Sequence, residues 1–271
     1  MKFKSILLSV IAAAACTVRA GEVIDLTNPD VWAHKYMFDK SAEPGTLRVS
    51  RMFCLSLKNR LKIDASKKYI LKGKVRTTED SPDTILVAGF IFHGKQGQRL
   101  PIAAFNAYKD SYAVLAEPVK KGDTKLKVKA ENPKVWRAVP GFVVAFQAQK
   151  DLSDLPNENI SPNLDKVVKN ADGTQTVTLK GACKADYPAG TSVRLSGGYS
   201  IYFNWKRLPK VTKEWQEFSA EITGEQLPPG QYADGKKFPA GADTLEFFIM
   251  VNWLTKPAST SELKDFTLEV L

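Results

Sequence analysis

The chain has 271 residues, of which 44% are hydrophobic and 25% are charged, and its formal net charge is +10. A chain of this length can bury a full hydrophobic core, so neither a metal nor a disulfide is required for stability. Three cysteines are too few for a disulfide framework, and the positive charge is a moderate excess rather than that of a polycation.

Residues 1–20 have the pattern of a secretory signal peptide. Two lysines precede an apolar stretch over residues 6–15, and small residues stand at 18 and 20, just before Gly21. The apolar stretch is too short to span a bilayer, and no later stretch is long and apolar enough. We therefore expect an exported protein, secreted, periplasmic or on the cell surface, without a transmembrane anchor.

The three cysteines leave two questions open. Cys16 follows three alanines, as in a lipoprotein signal, but the leucine usual three residues before such a cysteine is missing. Simple secretion is therefore preferred to lipidation. Removing residues 1–20 takes away three positive charges, which leaves +7, and leaves Cys54 and Cys183. We expect two buried thiols in different domains, with a disulfide between them as the alternative.

Strand patterns dominate the first part of the mature chain. Residues 47–57 and 69–76 alternate apolar and polar side chains, which predicts strands with one face directed inward. Residues 84–92 are apolar on both faces, as in a central strand covered on both sides. One short helix is predicted at 27–30, where a capping residue precedes Pro29. The pattern as a whole predicts an all-β sandwich.

A second unit interrupts this sandwich. Between residues 113 and 198, short β-forming runs are separated by Gly and Asp turns, and residues 199–205 then resume the first pattern. We therefore expect an inserted β domain at 113–198 within a discontinuous sandwich formed by 21–112 and 199–271. A tandem arrangement is the alternative, but it leaves the first segment with too few strands to close its core.

The closing strands carry a family resemblance. Residues 215–222, 244–253 and 263–270 are strand-length runs of β-forming residues. With the strand at 69–76, they resemble the jelly-roll carbohydrate-binding modules, galactose-binding-like β-sandwiches of secreted bacterial polysaccharide-utilisation proteins. The matching positions, in about half of the mature chain, are Tyr69, Leu71, Gly73, Val75, Trp215, Phe218 and residues 264–268. The resemblance implies a jelly roll with Trp215, Phe218 and Phe266 in its core and a saccharide as ligand.

Sugar binding requires flat aromatic faces for pyranose rings and nearby polar side chains for their hydroxyls. The strands that follow the insert offer both. Tyr202 and Asn204 share one strand face, whereas Trp205 takes the other. Trp205 and Trp253 also fit packing roles, since tryptophan is mostly buried. The predicted ligand-binding residues are Arg99, Asn106, Tyr202, Asn204, Asn252 and Trp253.

Two other features suggest ligands with less support. The polar loop at 151–163 offers several oxygen atoms suited to calcium, but it lacks the spacing of a calcium loop, and ordinary Asx turns explain its composition. No metal or cofactor is therefore predicted. Lys125, Lys127 and Lys129 fall on one strand face, where they would attract an acidic or sulfated polysaccharide. A solvated face that protects a sheet edge is the simpler explanation.

Catalytic patterns are scarce. The chain has two histidines, no Gly-x-Ser-x-Gly motif and no His or Cys cluster with zinc spacing. Its carboxylates are numerous enough for a glycosidase, but the sequence does not pair any two of them across a cleft. We expect an exported, non-catalytic protein that binds a polysaccharide or oligosaccharide and not nucleic acid. A structural or adhesive surface protein is the alternative, and a glycoside hydrolase is the third hypothesis.

Overall fold

A computed structural model describes residues 21–39, 43–51, 53–78, 84–198, 200–226, 235–253 and 259–271, with the side chains of Phe53 and Trp253 excepted. The predicted signal peptide, including Cys16, lies outside these residues. Within them the chain is all-β, as the strand patterns predict.

The strands in the described residues, in chain order, are β1 (Glu22–Asp25), β2 (Thr46–Val49), β3 (Phe53–Ser56), β4 (Leu61–Lys62), β5 (Lys68–Thr77), β6 (Ile85–His93), β7 (Arg99–Leu100), β8 (Ala113–Leu115), β9 (Lys125–Ala130), β10 (Phe142–Phe146), β11 (Leu164–Lys169), β12 (Gln175–Leu179), β13 (Ser192–Gly197), β14 (Phe203–Leu208), β15 (Gln216–Thr223), β16 (Thr244–Trp253) and β17 (Ser261–Val270). Short 3-10 helices lie at Pro29–Val31, Lys35–Met37 and Ile102–Ala104. The first of them is the predicted short helix, capped by the Asn28 side chain, which accepts a hydrogen bond from the amide of Asp30. None of the helical segments in the described residues has the length and apolarity to cross a membrane.

The strands form three antiparallel sheets. Sheet A has the order β14-β6-β16-β3, with β4 also paired to β16 and β7 to β6. Sheet B has the order β1-β17-β5-β15, with β2 also paired to β17. Sheet C has the order β10-β13-β8-β9-β12-β11 and takes all of its strands from residues 113–197.

Sheets A and B pack face to face around one hydrophobic core. Leu245, Phe247 and Ile249 enter it from β16, and Leu71 and Leu268 enter it from sheet B; all five are fully buried. The chain changes sheet between β5 and β6, and again at each step from β14 to β17. This repeated crossing between two antiparallel sheets is the connectivity of a jelly-roll sandwich.

The tryptophans of the sandwich differ in their environment. Trp205 lies in the core with its ring centroid 4.7 Å from that of Phe90, and Phe218 and Phe266 are also core residues. The prediction that Trp215 packs in the core is wrong. It is half-buried beneath the Arg76 guanidinium, whose carbon lies 4.6 Å from the ring centroid. The physical reason is strand parity, because the even-numbered residues of β15 face the core.

Sheet C has a hydrophobic core of its own, which includes Val128, Val144, Val177 and Leu195. Its edge strands β10 and β11 approach each other, and residues 159–161 hydrogen-bond along the free side of β10. The sheet therefore curls toward a small barrel. Its strands follow the range predicted for an inserted domain, although the domain boundaries themselves stay a prediction.

Hydrogen bonds around the helix Ile102–Ala104 fasten sheet C to the sandwich. The amide of Ile102 donates to Ser200 O at 2.9 Å, and the amide of Ala103 donates to Gly198 O at 2.7 Å. The amide of Asn157, from the loop after β10, donates to Ala104 O at 2.7 Å. This junction fixes the loop against the edge of sheet A, where the candidate site lies.

The cysteines depart in part from the prediction. Both thiols are free, and Cys183 is buried in the core of sheet C as expected. Cys54 is exposed, so its predicted burial is wrong. Position 54 in β3 pairs with Met250 of β16, which places its side chain on the outer face of sheet A.

Candidate functional site

The outer face of sheet A carries an unusual mixture of apolar and ionisable side chains. Since successive residues of a strand point to opposite faces, Glu246, Phe248 and Met250 of β16 lie opposite the sandwich core. Phe248 and Met250 form a small apolar cluster with three residues of β6. Glu246 stands at the end of this cluster, and the polar site is built around it.

Tyr202 is an exposed aromatic side chain on this face. Its ring meets that of Phe248 edge-on, with centroids 5.0 Å apart, and 36% of the residue remains accessible to solvent. Phe248 in turn lies over Gly89 of β6, where a Cβ atom would approach Phe248 Cζ to 2.8 Å. The glycine thus lets the phenylalanine ring sit close to the sheet and support the tyrosine.

Glu246 is a buried carboxylate with several donors around it. Its Oε2 lies 3.5 Å from His93 Nε2 and 3.3 Å from Arg99 Nη2. The polar side chain of His93, then that of Ser56, and the charge of Arg99 outweigh desolvation and lower the pKa of Glu246 to about 2. The carboxylate is therefore ionised at neutral pH and unsuited to act as a general acid.

His93 is fully buried and lies between two acceptors. Its Nδ1 is 3.2 Å from the carbonyl oxygen of Gly97, and its Nε2 faces Glu246. A neutral imidazole carries one N–H and can donate to only one of these acceptors, whereas the imidazolium donates to both. His93 holds the turn between β6 and β7 through Nδ1, whereas its Nε2 faces the Glu246 carboxylate without forming a hydrogen bond to any described residue.

Cys54 lies next to Tyr202, close enough for each group to influence the pKa of the other. Desolvation is the main cause that raises the pKa of both groups. The thiol is therefore protonated at neutral pH, unlike the thiolate of a reactive cysteine. We call Cys54, Arg99, Tyr202 and Glu246 the Tyr202 patch.

A groove of about 280 Å³ adjoins the Tyr202 patch. One wall comes from the edge of the sandwich and the other from the sheet C unit, and Arg99 belongs to both the patch and the groove. Its lining residues are Arg99, Leu100, Pro101, Glu158, Ile160, Ser161, Pro162, Lys184 and Ile201. We call it the Arg99 groove.

Three of the predicted ligand-binding residues share the outer face of sheet A. Arg99 pairs with His93, Asn204 pairs with Gly89, and Tyr202 immediately precedes β14. Asn204 is exposed beside a bulge in β14. Their roles in ligand binding stay predictions.

The two other asparagines of the predicted set are buried. The amide of Asn106 donates to Gly197 O at 3.0 Å and lies at the junction with sheet C. Asn252 is inaccessible, donates to the carbonyls of Val49 and Arg51, and accepts from Ser259 and Ser261. The structure therefore separates both amides from the exposed face. The side chain of Trp253 lies outside the described part of the chain.

The sequence patterns did not predict Glu246, His93, Lys184 or Glu158 as site residues. For the first two, the sequence does contain a signal of a buried polar group. Glu246 is the single charged residue in the run of β16, and His93 ends the apolar run of β6. A lone ionisable residue in an otherwise apolar strand must find a partner when it is buried. Lys184 and Glu158 had no such signal, because only the packing of sheet C against the sandwich brings them to the groove.

In the polar loop at 151–163, the Asp154 carboxylate is occupied by hydrogen bonds to protein groups. Asp154 accepts from Arg194 Nη1 at 2.7 Å, from the amide of Gln149 at 3.0 Å and from Asn157 Nδ2 at 2.6 Å. These bonds brace the loop that forms one wall of the Arg99 groove. In the described ranges, no group of three or more His, Cys, Asp or Glu side chains is arranged to hold a metal ion.

A wider trough of about 540 Å³ runs along the outer face of sheet B. Its charged side chains are already paired with one another: Lys72 with Glu269 at 2.9 Å, and Lys74 with Glu217 and Asp265 at 3.5 and 3.3 Å. These exposed ion pairs are typical of a solvated sheet surface. The Arg99 groove, with its apolar lining and adjoining aromatic residue, is the better candidate.

Comparison with known proteins gives no relative. No family model, no curated protein and no solved structure matches the chain. What the chain shares with carbohydrate-binding modules is an all-β antiparallel sandwich.

Proposed function

We propose that this chain is an exported, non-catalytic protein that binds carbohydrate at the Tyr202 patch and the adjoining Arg99 groove. The observation that carries the proposal is the exposed tyrosine supported by Phe248 beside a partly exposed arginine. An aromatic face next to charged hydrogen-bonding groups suits a pyranose ring, which has an apolar face and a hydroxyl edge.

The chemistry of the patch favours binding over catalysis. Glu246 is held ionised by its donors, and the Cys54 thiol is held protonated by desolvation. At neutral pH Glu246 therefore lacks the proton that a general acid donates, and Cys54 is not the thiolate that nucleophilic attack by a cysteine requires. Export rests on the charge and hydropathy pattern of residues 1–20.

The proposal is tested by glycan-array binding of the protein recovered from the exported fraction, whose N-terminus is expected at Gly21. Replacing Tyr202 with alanine should weaken binding by about tenfold, or roughly 1.4 kcal/mol, because the stacking face is removed. Calorimetry with the best array ligand measures this loss.

Tyr36→Ala is the matched control, since Tyr36 is 74% exposed, lies in the helix Lys35–Met37 and belongs neither to the Tyr202 patch nor to the Arg99 groove. It should bind as the unaltered protein does. Absence of binding to every neutral and acidic glycan would sink the proposal and favour a surface protein that acts through protein contacts. Equal losses in the two variants would place the ligand elsewhere.

A further inference from the structure

The Arg99 groove carries positive charge on both of its walls. Arg99 reaches it from β7 of the sandwich, and Lys184 reaches it from the loop before β13 of sheet C. The two cations belong to different sheets, so their meeting depends on the junction at Ile102–Ala104. A groove with cations on opposite walls presents donors to a ligand from two directions.

The Arg99 guanidinium is oriented by the buried carboxylate of Glu246. Arg99 Nη2 lies 3.3 Å from Glu246 Oε2, while 54% of the arginine side chain stays exposed to solvent. Arginine presents five N–H donors in a rigid fork, so one amino group fixes the fork to the protein and the remaining edge is directed to solvent. The buried carboxylate thus positions a guanidinium suited to bidentate binding of an anion.

Lys184 is exposed and has no ion pair or hydrogen bond to any other described residue. Glu158 is the opposing charge in the groove, and its carboxylate accepts a short hydrogen bond from Gln98 Nε2. An anion seated between Arg99 and Lys184 would gain from both cations and be repelled by Glu158. The groove therefore predicts charge effects of opposite sign at positions 184 and 158.

We propose that the Arg99 groove selects an acidic saccharide, with the carboxylate or sulfate of one sugar unit between Arg99 and Lys184. This inference rests on the proposed carbohydrate-binding function and gives the sheet C unit a role, since it supplies Lys184. Leu100, Pro101, Ile160 and Ile201 provide an apolar lining for the ring. A volume of about 280 Å³ is at the small end of ligand pockets, which suits a single sugar unit. The net charge of +7 that remains without residues 1–20 adds long-range attraction for a polyanion.

Two pairs of probes separate charge from sugar recognition. The first pair is polygalacturonate and its methyl ester, which differ in the carboxylate charge. The second pair is dextran sulfate and dextran, which differ in the sulfate. The protein should bind the anionic member of at least one pair about tenfold more tightly than the neutral member, and the preference should fall as salt increases. The pair that shows the difference identifies the anionic group.

Two variants give the sharper test. Lys184→Gln should weaken binding of the anionic probe by about tenfold, because one charge-assisted contact is lost. Glu158→Gln should strengthen it by a few-fold, since the amide still bonds Gln98 while the repulsive charge is removed. Lys125→Gln is the charge-matched control. It lies in β9 of sheet C, outside the groove, and should bind as the unaltered protein does.

The outcomes distinguish the two proposals. If the anionic and neutral probes of both pairs bind equally, the acidic ligand is overturned while carbohydrate binding stands. If no saccharide binds, both fall. A loss in Lys125→Gln equal to that in Lys184→Gln would also overturn the inference, because attraction would then arise from overall charge. Thermal melts of the three variants should coincide with that of the unaltered protein, since the three side chains are exposed.

Discussion

At the scale of single residues, the same residue type has different roles in different surroundings. Asn204 and Asn252 are both strand asparagines beside a bulge. Asn204 is exposed on sheet A, whereas Asn252 is inaccessible and has a backbone φ of 54°. The amide of Asn252 joins β16 to the chain around Val49 and to the start of β17. It is therefore a structural residue and not part of the exposed face.

Replacing Asn252 with alanine should lower the free energy of unfolding by roughly 2 to 4 kcal/mol. Buried carbonyl and hydroxyl groups would lose their partners, and alanine is strained at a positive φ. Urea denaturation followed by fluorescence measures the change. Asn204→Ala, on the exposed face, should stay within about 0.5 kcal/mol. Unchanged stability of Asn252→Ala together with lost saccharide binding would contradict the structural assignment.

Glu246 should make stability depend on acid pH. Its pKa is lowered from 4.5 to about 2, so its contribution is complete above pH 4.5 and is lost as the pH falls toward 2. The loss should reach about 3 kcal/mol over this range. The Glu246→Gln variant lacks this contribution. The difference in free energy of unfolding between the unaltered protein and the variant should therefore become smaller as the pH falls. Urea midpoints between pH 2 and 6 measure it, and a constant gap would refute the assignment.

At the scale of elements, β6 shows how a central strand places the site. Its residues are buried on both faces, with one face in the sandwich core and the other under Phe248 and Met250. Gly89 is the position of β6 that pairs with Asn204 of β14 and with Phe248 of β16. A Cβ there would collide with the carbonyl oxygen of Phe203 and with the Phe248 ring.

Gly89→Ala should therefore destabilise the protein by about 3 kcal/mol or more, because backbone and ring must both move to admit one methyl group. The same substitution at Gly235, where no atom of the described residues other than its chain neighbours lies within 4 Å of the new Cβ, is the control and should change stability by about 0.5 kcal/mol or less. Thermal unfolding of the two variants measures the difference. Equal melting temperatures would show that the three strands can separate at position 89 without cost.

At the scale of the whole molecule, the chain builds two cores that share one junction. The sandwich core and the sheet C core have no residue in common, while the helix Ile102–Ala104 bonds to Gly198, Ser200 and Asn157. The proposed ligand groove lies beside this junction. We infer that the sheet C unit forms one wall of a binding site in addition to having its own fold.

The sequence determined the strands, because apolar and polar side chains alternate with the period of a pleated sheet. It also determined the all-β class, the continuous sheet C segment and the short helix after Asn28. The exposed position of Tyr202 opposite Trp205 follows from the same parity. These features depend on neighbours in sequence, which a pattern records directly.

The tertiary structure decided which polar residues meet. Glu246, His93, Arg99 and Tyr202 come from four separate segments, and only the pairing of β6, β7, β14 and β16 brings them to one face. The burial of Asn252, the exposure of Cys54 and the approach of Lys184 to Arg99 likewise depend on register and on the packing of one sheet against another. A strand pattern states which residues can face a core, but the partners across the sheet are set by contacts between residues distant in sequence.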